Sequence, residues 1–84
     1  MITNVYSVFD IKAASYAQPF FSQSHATAIR AFSGAVNDPG TMLNRHPEDF
    51  TLNHIGEFDD QTGEVIPSTM FVLGTAAAFK TTKE

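Results

Sequence analysis

Residues 46–60 read HPEDFTLNHIGEFDD, and this stretch decides the fold because it holds a break, a strand and a turn in succession. Pro47 starts a new element, since proline lacks the backbone N–H that would continue the preceding one. From Phe50 the side chains alternate between two faces, which predicts a β-strand. One face carries Phe50, Leu52, His54, Gly56 and Phe58, and the other carries Thr51, Asn53, Ile55 and Glu57.

The chain after this strand predicts a hairpin. Residues 59–63, DDQTG, are typical of a tight turn with Gly63 in the left-handed conformation. Pro67 restricts the return strand to a sheet edge or a bulge, because it cannot donate to the ladder. Residues 70–79, MFVLGTAAAF, are apolar at odd and even positions, which predicts a second interior strand. The alanine run is also compatible with a helix, and periodicity does not separate the two.

Two segments near the start of the chain differ in regularity. Residues 4–9, NVYSVF, are mostly β-branched or aromatic, which predicts a central strand covered on both faces. Residues 10–24 are irregular and interrupted by Pro19, so Tyr16, Phe20 and Phe21 are expected in a loop. These aromatic side chains either cover the core from outside or form a platform for bases or another subunit.

Residues 24–37 predict the main helix. Ser24 suits the N-cap, because its hydroxyl can accept a hydrogen bond from a first-turn N–H. Gly34 weakens the helix and indicates close packing against a strand. The sequence NDPG at residues 37–40 ends it. Apolar residues at three- and four-residue spacing form one stripe: Ala28, Ile29, Phe32, Ala35 and Val36.

These elements predict an α+β fold in which one main helix packs on a small antiparallel sheet of three to five strands. Residues 1–80 are expected to form a single globular domain. Residues 81–84 are expected to be a flexible C-terminal tail.

Composition limits the function classes. The 84 residues include no cysteine, which excludes disulfides and thiolate zinc sites. The net charge is −4, with seven of the nine acidic residues in residues 46–84. Five basic residues cannot supply the many phosphate contacts of tight non-specific DNA binding, so charge favours a protein partner. Neither a signal peptide nor an apolar run long enough to span a bilayer is expected.

No residue cluster specifies a reaction, so no enzymatic activity and no cofactor are expected. His46 and Asp49, with Glu48 between them, could supply half of a metal site, but a surface turn explains them better. His54 is interpreted as a core histidine with satisfied hydrogen bonds. Asp59 and Asp60 fit a hairpin turn rather than a calcium loop, because the alternating ligands and the distal glutamate are missing.

A family resemblance gives the functional expectation. Ser7-Val8-Phe9-Asp10, Ala31-Phe32 and, most specifically, His46-Pro47-Glu48-Asp49-Phe50, closing on Ile55-Gly56 and Phe58-Asp59-Asp60, occur in order over about residues 5–64. On these motifs the chain resembles the small nonstructural proteins of gokushoviruses, the single-stranded-DNA phages within the Microviridae. The resemblance implies a protein of the host bacterial cytoplasm that is absent from the mature capsid. Members are described as DNA-binding proteins or as factors for single-stranded DNA synthesis or packaging.

Two hypotheses follow. The first is a non-enzymatic phage accessory protein that assists viral DNA synthesis or packaging, through replication or capsid precursor proteins and weak contact with single-stranded DNA. The alternative is a structural oligomer or assembly aid without nucleic-acid binding, in keeping with an expected homo-oligomer. Any DNA contact is expected at the basic side chains, with three aromatic side chains available for stacking: Lys12, Arg30 and Arg45, with Tyr16, Phe20 and Phe21.

Overall fold

The computed structural model describes residues 1–81 as one main helix and two short helices on a five-stranded antiparallel sheet. This confirms the predicted α+β architecture. The strands are β1 (Ile2–Asp10), β2 (Ser15–Tyr16), β3 (Phe20–Ser22), β4 (Phe50–Asp59) and β5 (Val65–Thr75). The helices are α1 (His25–Val36), α2 (Met42–Arg45) and α3 (Ala76–Phe79), and a 3-10 turn spans Pro47–Asp49.

The sheet is built around β1 and β4. β1 pairs with β4 along its whole length on one side, and with β3 and then β2 on the other. β5 pairs with β4 and lies at the edge of the sheet. The central position predicted for residues 4–9 is therefore confirmed.

One side of the sheet packs against α1 and forms the core; we call it the helix side. Ser24 caps α1 as predicted, because its side chain accepts from the backbone N–H of Thr27 at 3.1 Å. Burial of a side chain such as Leu52 or Phe32 stabilises the fold by about 1.5–3 kcal/mol. The buried core residues are Tyr6, Ala28, Phe32, Val36, Leu52 and Ala76.

The prediction of a second interior strand over residues 70–79 is wrong. The segment is the end of the edge strand β5 followed by α3, so the helical alternative for the alanine run is confirmed. Thr75 makes the break, because its side chain accepts from the N–H of Ala78 and caps α3. An apolar sequence does not distinguish an interior strand from an edge strand whose side chains stay exposed, and Phe71 is 54% exposed.

Two further predictions fail locally. Tyr16 lies in β2 and Phe20 and Phe21 lie in β3 rather than in a loop, since all three pair with residues of β1. The alternation in β4 breaks at Ile55, where the register against β1 shifts between Val5 and Tyr6. Phe58 consequently lies on the opposite side of the sheet from His54, although uninterrupted alternation places both on one face.

The predicted hairpin turn is confirmed. Gly63 adopts φ +78°, and its N–H donates to the backbone oxygen of Asp59 at 2.8 Å. The carboxylate of Asp59 accepts from the N–H of Gln61 at 2.9 Å, and this hydrogen bond holds the pKa of Asp59 below its usual value. The turn thus places Asp59, Asp60 and Glu64 together at one end of the molecule.

The predicted tail lies mostly outside the described residues. Thr81 is described, and its backbone N–H donates to Oδ1 of Asn37 at 2.7 Å. Residues 82–84 are not described.

Two glycines test the packing. A Cβ at Gly56 would lie 2.7 Å from the backbone oxygen of Ile66, so Gly56→Ala should lower the free energy of unfolding by about 1–3 kcal/mol.

Nothing lies within 4 Å of a Cβ at Gly34, so the close packing predicted there is wrong. Gly34→Ala should instead stabilise the protein by up to about 1 kcal/mol. Urea unfolding measures both, and a stable Gly56→Ala would contradict the β4–β5 pairing.

Candidate functional site

The side of the sheet opposite α1 carries an apolar surface that no helix of residues 1–81 covers. Directly paired residues of neighbouring strands point their side chains to the same side of the sheet. Tyr6 of β1 points to the core, so the β1 residues that alternate with it, and the residues paired with them, point to the opposite side. Tyr16 is 46% exposed and Phe21 is 62% exposed. We call this surface the open face: Val5, Phe9, Tyr16, Phe21, Phe58, Met70 and Val72.

Aromatic side chains of the open face pack against one another. Phe21 and Phe58 pack with ring centroids 5.8 Å apart, and Phe9 and Tyr16 pack at 4.7 Å. Val5, which pairs with Phe21, is buried as a result. The open face is thus a packed surface of aromatic side chains rather than scattered exposed residues, which is the usual appearance of an interaction site.

The hydroxyl of Tyr16 donates to Sδ of Met70 at 2.8 Å, which joins side chains from β2 and β5 across the two central strands. Beneath this contact lie Ser7 and Asn53, a directly paired and buried polar pair. Ser7 donates to the backbone oxygen of Ala17 at 2.7 Å. Asn53 is 3% exposed, and its Nδ2 lies 3.5 Å from the same sulfur.

Oδ1 of Asn53 has no hydrogen-bond partner among residues 1–81. A buried acceptor in this state destabilises the fold by about 1–3 kcal/mol, because it has lost water and gained nothing in exchange. Asn53 is thus a buried polar residue of the sheet that lies beneath the open face.

Charge is distributed unevenly between the strands and the helices and turns that connect them. The five strands contain no lysine or arginine, and their charged residues are Asp10, Glu57 and Asp59. The basic side chains of residues 1–81 instead belong to helices and turns. They are Lys12 after β1, Arg30 in α1, Arg45 in α2 and Lys80 after α3.

The structure therefore separates the residues predicted to contact DNA. Phe20 faces the core and stacks on Tyr6, with ring centroids 5.7 Å apart. Tyr16 and Phe21 lie on the open face. Lys12 lines a shallow cavity with Met42, His46 and Glu48 near α2, while Arg30 and Arg45 are exposed on helices.

The pairing of His25, at the start of α1, with His54 of β4 escaped the sequence analysis. The rings of His25 and His54 lie 5.0 Å apart, and Nδ1 of His25 is 2.7 Å from the hydroxyl of buried Tyr6. Burial raises the pKa of Tyr6. The sequence contained one local indication of this position. His25 directly follows the N-cap and therefore lies in the first turn of α1.

The hydrogen bonds of His54 follow from those of Asn4. Nδ2 of Asn4 donates to the backbone oxygen of Gln23 at 3.1 Å, so Oδ1 is its free acceptor. Nε2 of His54 lies 3.1 Å from that oxygen and must donate. Nδ1 then accepts from Oγ of Ser68 at 3.4 Å. The predicted histidine with satisfied hydrogen bonds is confirmed, although it is only half-buried.

Comparison with known proteins identifies the family. The family described as Phage ORF5 protein matches residues 3–79. This chain belongs to that family. Protein ORF5 of Chlamydia phage 1 is 41% identical over 66 residues, which cover 74% of this chain and 69% of that protein. No solved structure matches. The predicted relationship to the gokushovirus proteins is confirmed.

Within this ORF5-family chain, the motif at residues 46–50 gathers three potential ligands. His46, Glu48 and Asp49 each place a ligand atom within 4.8 Å of the others at the 3-10 turn. His46 and Glu48 are exposed, and Pro47 begins the turn as the sequence indicated. Turn formation accounts for the positions of all three.

No helix among the described residues of this ORF5-family chain is long and apolar enough to cross a membrane.

Tyr6→Phe tests the histidine pair. The variant removes the 2.7 Å contact with His25 and should lower the free energy of unfolding by about 0.5–1.5 kcal/mol at neutral pH. The wild type should lose stability as pH rises above about 10. The pKa of Tyr6 is raised in the folded state, so the unfolded chain loses the Tyr6 proton more readily and is favoured at alkaline pH.

Tyr6→Phe should lack this alkaline contribution, whereas Tyr16→Phe should retain it because Tyr6 is still present. Urea unfolding between neutral and alkaline pH measures both. Equal alkaline loss in Tyr6→Phe and the wild type would contradict the assignment to Tyr6.

Proposed function

We propose that this chain is a non-enzymatic phage accessory protein that assists viral single-stranded DNA synthesis or packaging, mainly by binding other proteins. The observation that carries the proposal is the open face, where aromatic side chains are exposed and no lysine or arginine lies on the strands. Exposed aromatic surface with few charges is typical of the centre of a protein interface. Membership of a phage family supplies the biological setting.

The electrostatics argue against the open face as a nucleic-acid platform. Single-stranded DNA binding combines stacking on aromatic side chains with a basic groove that follows the backbone. Here the strands around Tyr16 and Phe21 contain no lysine or arginine, and the protein has a net charge of −4. Stacking without phosphate neutralisation leaves the repulsion between an acidic protein and DNA unopposed.

Weak DNA contact belongs on the other side of the molecule. Lys12, Arg30 and Arg45 are exposed there, and Lys80, which the sequence analysis did not include, donates to the backbone oxygen of Asn44 at 2.8 Å. These side chains serve the accessory function by holding DNA loosely while the open face holds a viral protein.

The protein-binding part predicts the result of a capture experiment from infected cells. Tagged wild-type protein should recover the viral replication protein or the capsid precursor. Phe21→Ser should lose most of this recovery, because Phe21 is the most exposed ring of the open face. Ile11→Ser is the matched control, since it removes an exposed apolar side chain from a turn outside that face. Equal recovery by both variants would contradict the role of the open face.

The DNA part predicts a shallow salt dependence. Affinity for labelled single-stranded DNA should fall with log salt with a slope no steeper than about −3, because the four basic side chains of residues 1–81 neutralise about four phosphates at about 0.7 each. Replacing Arg30 and Arg45 by glutamine should flatten the slope, whereas Phe21→Ser should leave it unchanged. A steep slope, or a loss of DNA binding in Phe21→Ser, would show that the two sides are not separate in function.

A further inference from the structure

β5 forms the long free edge of the sheet. It runs for 11 residues, Val65–Thr75, and pairs with β4 on one side only. The opposite edge differs, because the short strands β2 and β3 lie against β1 there. Among residues 1–81 no strand pairs with the outer side of β5. Its outward N–H and C=O groups therefore form a row that is available for a further strand.

This edge lacks the charged side chains that commonly prevent an edge strand from pairing. Natural edge strands carry lysine or other charges, yet Val65–Thr75 contains no charged residue. Pro67 and two register irregularities, one between Pro67 and Phe71 and one at Leu73, interrupt only its pairing with β4. Met70, Phe71 and Val72 are all exposed, and Val72 is 52% exposed. The middle of the strand thus offers both an open backbone and apolar side chains.

The molecule is more extended than a compact domain of its length, with extents of 48 × 24 × 19 Å. A radius of gyration of 13.4 Å exceeds the about 12 Å expected for a compact domain of this length. The accessible surface is 5432 Å², whereas a folded chain of 9.2 kDa exposes about 4,900 Å². The excess of about 500 Å² is of the order of the about 800 Å² that each partner buries in a stable interface.

Symmetry and charge favour a second copy as the occupant. An uncharged strand meets its own copy without like-charge repulsion, and a twofold axis makes the surface complementary to itself. Antiparallel pairing places the two hairpin turns, each with Asp59, Asp60 and Glu64, at opposite ends of the assembly. Parallel pairing would bring these acidic turns together and is disfavoured.

We infer that two copies of this chain pair through β5, antiparallel about a twofold axis at Met70, to form a dimer with one continuous sheet. Met70 is the midpoint of Val65–Thr75, so this register overlaps the whole strand. Met70 then faces its own copy, and Ser68 faces Val72 of the other copy. The two open faces become one surface, with the Tyr16–Met70 contacts of both copies adjoining at the axis. The inference goes beyond the proposed function and does not depend on it.

Cysteine substitution tests the register, because the chain contains no cysteine of its own. Met70→Cys should form an intermolecular disulfide under mild oxidation, since facing residues lie within disulfide reach. Ser68→Cys alone and Val72→Cys alone should not, because four residues of offset separate like positions by about 13 Å. A mixture of these two variants should cross-link. Equal cross-linking of all single variants, or none at Met70→Cys, would overturn the inference.

Light scattering tests the assembly itself. The wild type should have twice the mass of one chain at micromolar concentration. Thr69→Lys places two like charges beside the axis and should weaken the dimer about tenfold or more. Gln18→Lys is the control for added charge, because Gln18 is exposed and lies outside β5. A monomeric wild type, or a dimer that Thr69→Lys leaves intact, would overturn the inference.

These measurements use purified protein alone, so their failure is distinct from failure of the proposed function. A dimer that recovers no viral component would end the proposed function and leave the inference in place. A monomer that recovers the replication protein would do the reverse.

Discussion

The structure depends on one constraint: one main helix must provide most of the cover for a sheet that is larger than it. The 12 residues of α1 make a cylinder about 18 Å long and about 10 Å wide. The 10 residues of β4 extend about 33 Å. α1 therefore buries the centre of one side of the sheet, where Tyr6 and Leu52 lie. It does not cover the hairpin at residues 59–63 or the opposite side of the sheet.

On the opposite side, the side chains of the strands themselves partly cover the sheet. Tyr16 and Met70 meet above Ser7 and Asn53, and Phe21 and Phe58 flank Val5. This arrangement keeps the middle of the sheet dry without a second layer of helices. It also leaves the outer surfaces of those same rings exposed, which is why an 84-residue chain of ordinary hydrophobic content presents so much apolar surface.

The sequence predicted the features that depend on local chemistry. The Ser24 cap, the turn at Gly63 and the restriction imposed by Pro67 each follow from a residue's own backbone or side-chain preference, and each is present. The errors concern features that only pairing decides. The bulge at Ile55 reverses the side on which Phe58 lies, and the adjacent Gly56 is compatible with a bulge but does not determine the side on which Phe58 lies. The edge position of β5 depends on which strands pair, and an apolar composition does not contain that information.

The candidate site was predictable to the same extent. The sequence selected Tyr16 and Phe21, which are on the open face, and Lys12, Arg30 and Arg45, which are exposed elsewhere. It could not separate the two groups, because their relative placement depends on the side of the sheet that each strand residue faces. His25 was missed for a similar reason, since its partners Tyr6 and His54 come from two distant strands.

The unpaired oxygen of Asn53 has a consequence for how easily the open face can change. An acceptor shut away from water raises the free energy of the closed arrangement, and that energy is recovered when solvent reaches the oxygen. Swinging Tyr16 and Met70 aside breaks the weak contacts that the sulfur makes with the hydroxyl of Tyr16 and with Nδ2 of Asn53, and at the same time hydrates the oxygen of Asn53. The two effects oppose each other, so hydration of this oxygen offsets part of the free energy that the rearrangement costs. This part of the surface can therefore adapt its shape to whatever rests on it while the strands beneath stay in place.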